Sequence, residues 1–302
     1  MDELNAKTRF LPKPDELRPA GTSVQTTIEF GAVSHRGKVR ENNEDSFIVS
    51  KIERRITALM SNLPPGQIED PHGEVAYGML VADGMGGAAA GEIASRTAIA
   101  ALRELAINTP DWIMRLDEEG STQVLQRMEE RFAELTKILT RLAKANPSLS
   151  GMGTTLTLAL SLGPELILAH VGDSRVYLHT LGRLVRLTRD QTMGQLLADL
   201  GVISSTDVAT HSSRHVLTGA ISAGGEKAPV EMHHLQLTDG DQLLLCSDGL
   251  TEMVMDSAIA AVLKENKTPT ETCNTLLNLA LAAGGKDNIT IIVARYSIPE
   301  NR

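Results

Sequence analysis

TTLTLALSLGPELILAHVGDSRVYLHT, residues 154–180, is the stretch that decides the fold class. Three apolar runs follow one another here, separated only by the turn residues Gly163-Pro164 and Gly172-Asp173. With a further run at 184–187, they predict strands at about 154–162, 165–172 and 174–180 with no helix between them. Strands joined by short turns pair antiparallel, so the stretch favours hairpins over a parallel βαβ sheet.

The rest of the chain groups helices and strands separately, which predicts an α+β fold with antiparallel sheets. The spacing of apolar residues predicts helices at 92–106, 124–142, 193–200, 205–211 and 270–283. Further strands are expected at 27–33, 45–50, 75–83, 231–237, 242–247 and 289–296. A Pro-rich N-terminal extension at 1–25 is expected to order poorly, and 51–75 is expected to be an insertion loop of one domain spanning 26–298.

Composition narrows the class of partner and the compartment. The net charge is −9, which argues against binding to nucleic acid or to an anionic membrane. Cys246 and Cys273 are the only cysteines, and each lies in an apolar context, so a disulfide framework is not expected. The charged N-terminus lacks the apolar region of a secretory signal. A cytoplasmic protein fits these observations.

LVADGMGGAAAGEIAS, residues 80–95, raises a question about Asp83 at the end of an apolar strand. Gly84-x-Gly86-x-x-Ala89 partly matches a dinucleotide-binding motif, but the next predicted strand, at 154, is too distant for the βαβ unit that this motif needs. A simple Asp-Gly turn is the other alternative. The same pattern of an acid at a strand end recurs, however, at Asp173, Asp248, Asp287 and Glu44-Asp45.

Acids at five strand ends predict carboxylates that converge on one place. A like-charged pair at about 4 Å costs roughly 4 kcal/mol at an effective dielectric near 20. Several such pairs would rival the stability of a whole domain, about 5 to 15 kcal/mol. The cluster therefore needs cations or protons. Oxygen ligands without nearby Cys or His favour hard ions such as Mg²⁺ or Mn²⁺ over Zn²⁺.

Seven motifs in order resemble the protein phosphatase 2C family, the metal-dependent Ser/Thr protein phosphatases, in its bacterial form. The motifs are RENNED (40–45), VADGMGG (81–87), GMGTTLTLAL (151–160), HVGDSRVYL (170–178), LTRDQT (187–192), LLCSDGL (244–250) and GGKDNITIIV (284–293). The resemblance implies a four-layer α-β-β-α sandwich with two central antiparallel β-sheets. It also implies a metal centre at one end of the sheets.

The resemblance assigns a role to each site residue. Asp83 would bridge two ions, with Asp248 and Asp287 completing one site and with Glu44 and the Gly84 carbonyl serving the other. Asp173 would join Asp248 in a weaker third site. Arg40 would bind the substrate phosphate, Asp45 would hydrogen-bond a metal-bound water, and Asn288 would support the water network. Met85 stands where some members have a His that donates a proton, so water is the expected donor, with His35 as the alternative candidate.

The implied function is hydrolysis of phosphoserine and phosphothreonine in proteins by a hydroxide that bridges two Mn²⁺ or Mg²⁺ ions. Its substrates would be phosphorylated proteins, with a Ser/Thr kinase and its substrates as candidate partners, and the chain is expected to be a monomer. The segment 190–225 matches the family's flap, a segment beside the site. The alternative is a catalytically inactive binding or signalling module of the same fold.

Overall fold

The computed structural model describes residues 26–54, 60, 62, 74–86, 90–107 and 118–299. The N-terminal extension predicted at 1–25 and most of the insertion loop predicted at 51–75 lie outside these residues. The strands are β1 (Thr27–His35), β2 (Asp45–Arg54), β3 (Glu74–Met85), β4 (Gly153–Thr154), β5 (Leu156–Leu162), β6 (Glu165–Val171), β7 (Arg175–Thr180), β8 (Arg183–Arg186), β9 (Ile221–Ser222), β10 (Glu231–Gln236), β11 (Gln242–Cys246) and β12 (Ile289–Ser297). The helices are α1 (Ala90–Ile107), α2 (Glu118–Ala145), α3 (Met193–Asp199), α4 (Asp248–Thr251), α5 (Asp256–Lys264) and α6 (Pro269–Ala282).

Two antiparallel sheets form the centre of the molecule. The first has the strand order β1-β12-β11-β7-β8. The second runs β10-β6-β5-β3, with β2 also paired to β3 and with the short β4 and β9 continuing from the end of β3. Each strand pairing in both sheets is antiparallel, as the sequence predicts.

The strands are apolar on both faces because each sheet is covered on both sides. In β11, Leu243 and Leu245 pack between the two sheets, while Leu244 and Cys246 pack against the helices α4 to α6. On the far side, α1 and α2 cover the second sheet, where Phe132 and Leu135 of α2 are buried. The layers are therefore helix, sheet, sheet and helix, which confirms the predicted four-layer sandwich.

The registers bring several strand ends to one end of the sandwich. Asp45 at the start of β2 lies opposite Asp83 in β3. In the other sheet, Cys246 at the end of β11 lies opposite Arg175 at the start of β7 and opposite Ile291 in β12. The Thr155 and Ser174 hydroxyls connect the two sheets there, with 3.0 Å between their oxygen atoms. Residues just beyond these strand ends therefore share one surface.

Some local predictions hold and others are wrong. Thr192 caps α3 by accepting a hydrogen bond from the Gln195 N–H, and Gly284 and Gly285 follow α6 with positive φ angles. The helix predicted at 205–211 is wrong, since only a single 3₁₀ turn forms at Val208–Thr210. Most residues of that segment are exposed, so a helix would bury no apolar face. The helix α5 was not predicted, β2 extends through Arg54, and β3 begins at Glu74.

Candidate metal centre

An open cavity of about 1070 Å³ lies at the end of the sandwich where the strand ends meet. Eight of the nine site residues predicted from the sequence line it: Arg40, Glu44, Asp83, Gly84, Asp173, Asp248, Asp287 and Asn288. The ninth, Asp45, is 7% exposed and lies beside Asp83 in the paired strand. The predicted convergence of acids from distant parts of the chain is therefore present in the structure.

The carboxyl groups are costly to ionise where they lie. Burial, reinforced by neighbouring carboxylates, raises the pKa of Asp83 and the pKa of Asp248 well above the usual range. Burial also raises the pKa of Asp45 to about 6. The pKa of Asp173 rises to about 7 because of burial and the charge of Asp190. Such a cluster is stable at neutral pH only with bound cations or protons.

Buried carboxylate oxygens without partners show what the cluster fits. Among the described residues, Oδ1 of Asp45 and Oδ1 of Asp248 are buried and have no hydrogen-bond partner. A buried polar atom is normally satisfied by a protein group, a water or an ion, and these two oxygens are free to accept a cation. Carboxylate and carbonyl oxygens are the ligands that Mg²⁺ and Mn²⁺ prefer, so the donor set fits these ions.

Backbone and hydroxyl groups hold the acids in place. The Asp83 N–H donates to the Thr155 hydroxyl at 3.0 Å, and the Gly84 N–H donates to the Glu44 carbonyl at 3.2 Å. The Ser247 hydroxyl donates to Asp45 Oδ2 at 2.7 Å, while it accepts the Thr290 N–H. These bonds hold the backbones of Asp83 and Glu44 and the carboxylate of Asp45 in place.

Asn288 anchors the loop that carries Arg40 and Glu44. Its side-chain oxygen accepts the Glu44 N–H at 2.7 Å, and its amide nitrogen donates to the carbonyls of Arg36 and Asn42. Both amide hydrogens are therefore used by the loop backbone. The role of Asn288 in a water network stays a prediction, whereas its support of Glu44 is visible.

Arg40 places a guanidinium at the cavity. Its Nη2 lies 2.6 Å from Asp287 Oδ2, and its side chain is 55% exposed. A planar guanidinium that is exposed and held at one end can bind two oxygens of a phosphate.

Two glycines explain why the stretch at 80–95 is so rich in small residues. A methyl group on Gly84 would lie 2.1 Å from the Gly91 carbonyl oxygen, and one on Gly91 would lie 2.9 Å from the Glu44 carboxyl carbon. The N-terminus of α1 thus packs directly on the strand that carries Asp83. The dinucleotide alternative is wrong, because the strands paired with β3 are antiparallel.

His215 and Glu252 also line the cavity, although the sequence did not indicate either. His215 Nδ1 lies 2.5 Å from Glu252 Oε1, and with Asp248 they offer ligand atoms within 4.8 Å of one another. The spacing of four between Asp248 and Glu252 is a helical signal that could have identified Glu252. His215 lies in the flap, and no local pattern distinguishes it. His35 does not line the cavity; its Nδ1 accepts the Gly37 N–H.

Comparison with known proteins agrees with this geometry. The family model described as protein phosphatase 2C matches residues 68–281, and the chain belongs to this family. The serine/threonine protein phosphatase PstP of Mycobacterium tuberculosis is 35% identical over 271 residues, which are 90% of this chain and 45% of PstP. The chain thus spans about half the length of PstP. The serine/threonine phosphatase stp of Listeria monocytogenes is 31% identical over 88% of this chain and 94% of its own length.

Solved structures give the same result. The catalytic domain of PstP in complex with two manganese ions matches with a TM-score of 0.70 and 32% identity, covering 90% of this chain and all of that domain. The S. agalactiae serine/threonine phosphatase matches with a TM-score of 0.75 and 26% identity, covering 90% of this chain and 100% of its own. These matches confirm the predicted family and fold.

Proposed function

We propose that this chain is a protein phosphatase that hydrolyses phosphoserine and phosphothreonine with two divalent ions, Mn²⁺ or Mg²⁺. The observation that carries the proposal is the convergence of Glu44, Asp83, Asp248 and Asp287 on one open cavity, with buried carboxylate oxygens that lack partners. An inactive member of the family would not need to retain so costly a cluster of acids.

The ligand roles are those that the family resemblance implies, carried by acids that line the cavity. Asp83 would contact both ions, with Asp248 and Asp287 completing one site and Glu44 and the Gly84 carbonyl serving the other. Asp173 and Asp248 would hold a third ion, and Asp45 would orient water from behind Asp83. Bound divalent ions supply Lewis-acid activation of water and neutralise charge during in-line displacement at phosphorus.

The chain's own residues bind and orient the substrate. Arg40 would receive the phosphate, and its contact with Asp287 fixes the guanidinium at the cavity wall. Asn288 would keep Glu44 and Arg40 in position by holding the backbone of their loop. Because the cavity is open, a phosphorylated side chain can enter while it remains part of a folded protein or a peptide.

Partners and compartment are further parts of this proposal. Phosphorylated proteins are the expected substrates, including a Ser/Thr kinase and the proteins that it modifies. Both cysteines are free and buried, which suits the reducing cytoplasm. Among the helices in the described ranges, none is long and apolar enough to cross a membrane.

The direct test uses purified protein and p-nitrophenyl phosphate. We expect turnover with Mn²⁺, loss of turnover with EDTA, and recovery when Mn²⁺ is restored in excess. Matched phosphoserine, phosphothreonine and phosphotyrosine peptides should show preference for the first two. Calorimetric binding of Mn²⁺ without turnover of any phosphoester would instead support the inactive module.

A further inference from the structure

A basic rim borders the cavity on the side of the β1–β2 loop. We define it as Lys38 and Lys286, with Arg36 beside them; all three side chains are exposed. The Lys38 N–H donates to the Gly285 carbonyl at 2.7 Å, which places the two lysines on facing loops. Lys286 itself lines the cavity, so the rim is continuous with the metal centre.

Both lysine stems run past the same glycine turn. A methyl group built on Gly285 would lie 3.4 Å from Lys38 Cγ, and one built on Gly284 would lie 3.8 Å from Lys286 Cγ. Within the described part of the chain, neither ammonium forms an ion pair with a carboxylate. Among the described residues, the Arg36 guanidinium donates only to the backbone carbonyl of Glu41. The rim therefore keeps cationic charge available to a partner, in a protein whose net charge is −9.

We propose that this basic rim binds an acidic segment that flanks the phosphorylated residue of a protein substrate. The inference rests on the proposed phosphatase function and adds a substrate class to it. The rim complements carboxylates or a second phosphate in charge, and it adjoins the cavity that would receive the phosphoester. An extended peptide advances about 3.3 Å per residue, so acids within about three residues of the phosphoserine can reach it. Val39, 68% exposed between Lys38 and Arg40, offers apolar contact to the same segment.

The test compares two phosphoserine peptides that differ only in their flanking residues, Asp and Glu in one and Asn and Gln in the other. We expect kcat/KM to be about two- to fivefold higher for the acidic peptide, mainly through KM, and the ratio should shrink in high salt. In Lys38→Glu the ratio should fall to one or below. For a peptide with flanking lysines, kcat/KM should then be higher with this variant than with the wild type.

The control is Lys264→Glu, the same charge change on an exposed lysine at the end of α5. Its neighbour Leu263 accepts a hydrogen bond from Gln242, at the opposite end of β11 from Asp248. This variant should keep the wild-type ratio. Both variants should hydrolyse p-nitrophenyl phosphate at the wild-type rate, because that substrate has no flanking residues.

The possible outcomes separate the rim from the catalytic function. In one outcome, the wild type and Lys38→Glu show the same ratio of kcat/KM for the acidic and neutral peptides, with normal p-nitrophenyl phosphate turnover. That result would overturn the role proposed for the rim and leave the phosphatase function intact. Absence of turnover by the wild type would instead overturn the function itself. Sedimentation with phosphatidylserine vesicles that is lost in Lys38→Glu, without any peptide preference, would assign the rim to a membrane and also overturn the proposal.

Discussion

Asp83 shows how one residue can lower stability in order to bind metal. It lies half-buried beside Asp45, and its desolvation and the surrounding carboxylates raise its pKa. Its ionised form is tolerable when a cation is close, and the four-layer core provides the stability that offsets the remaining cost. The residue is therefore expected to affect catalysis and stability in opposite directions.

Asp83→Asn tests this opposition. The amide has nearly the same shape but no charge, so we expect kcat for p-nitrophenyl phosphate to fall by more than about 100-fold, beyond the usual loss from outer-shell substitutions. In EDTA, the same variant should melt at a higher temperature than the wild type, because the amide carries no charge for the neighbouring carboxylates to repel. Scanning calorimetry and steady-state kinetics measure the two effects.

Asp207→Asn is the matched control for Asp83→Asn. Asp207 is exposed and makes no side-chain capping bond, so the variant should leave both activity and melting temperature unchanged. Full activity in Asp83→Asn, or a melting temperature in EDTA below that of the wild type, would contradict the role proposed for Asp83 as a ligand in the metal centre.

Residue-level patterns in the sequence identified the acids but not all their neighbours. An acid after an apolar run is visible because the run ends at a buried strand, as at Asp173 and Asp248. His215 has no such signal, since only the fold brings the flap beside Glu252. The requirement for glycine at Gly91 is equally invisible, because it arises from contact with Gly84 and Glu44.

At the scale of elements, the flap is held to the metal centre through Gln191. The Gln191 N–H donates to the Gly172 carbonyl at 2.7 Å, and its side-chain oxygen accepts the Gly172 N–H at 3.0 Å. Its carbonyl accepts the Thr218 N–H, and its side-chain nitrogen donates to the Pro229 carbonyl. One residue thus links the turn before Asp173 to the far end of the flap.

Gln191→Leu should loosen this connection while keeping most of the side-chain volume. The Gly172 N–H and the Pro229 carbonyl would lose their partners, and we expect the free energy of unfolding to fall by about 1 kcal/mol. Trypsin should also cleave faster after Arg214 within the flap. Urea denaturation and timed proteolysis measure these changes.

Gln195→Leu gives the comparison within the same segment. Within the described ranges, its side-chain amide bonds only Asp199 at the surface. Its loss should therefore change the free energy of unfolding by less than about 0.5 kcal/mol. If the two variants were equally stable and equally resistant to trypsin, Gln191 would not fix the flap.

The elements themselves were predictable to different degrees. The hairpins of β5, β6 and β7 follow from apolar runs and turn residues, and Thr192 correctly marks the start of α3. Residues 205–211 contain a capping residue but bury little, so local signals suggested a helix that packing does not support. The four layers were expected only from the family resemblance, since strand order depends on contacts between distant segments.

For the whole molecule, metal and protons compete for one cluster of carboxylates. The pKa of Asp45 is about 6 and that of Asp173 about 7, against roughly 3.9 for aspartate in an unfolded chain. A raised pKa in the folded state means that the folded protein holds protons that the unfolded chain has released. The stability linked to each group is complete below about pH 4 and is lost as pH rises through its folded pKa.

The metal-free protein should therefore become less stable above about pH 4, by about 1.4 kcal/mol per pH unit for each such carboxyl, up to about pH 6 for Asp45 and about pH 7 for Asp173. Mn²⁺ replaces the protons, so it should raise the melting temperature strongly at pH 8 and little at pH 5. Burial lowers the pKa of His170, so protonation of this residue destabilises the folded protein in acid. Its ring bonds Thr157 and Gly172, so we expect this effect on the free energy of unfolding to be the same with and without metal. The difference between melting temperatures in Mn²⁺ and in EDTA thus isolates the cluster. If the difference between the melting temperatures in Mn²⁺ and in EDTA stayed constant from pH 5 to pH 8, protons and Mn²⁺ would not be competing for these carboxylates.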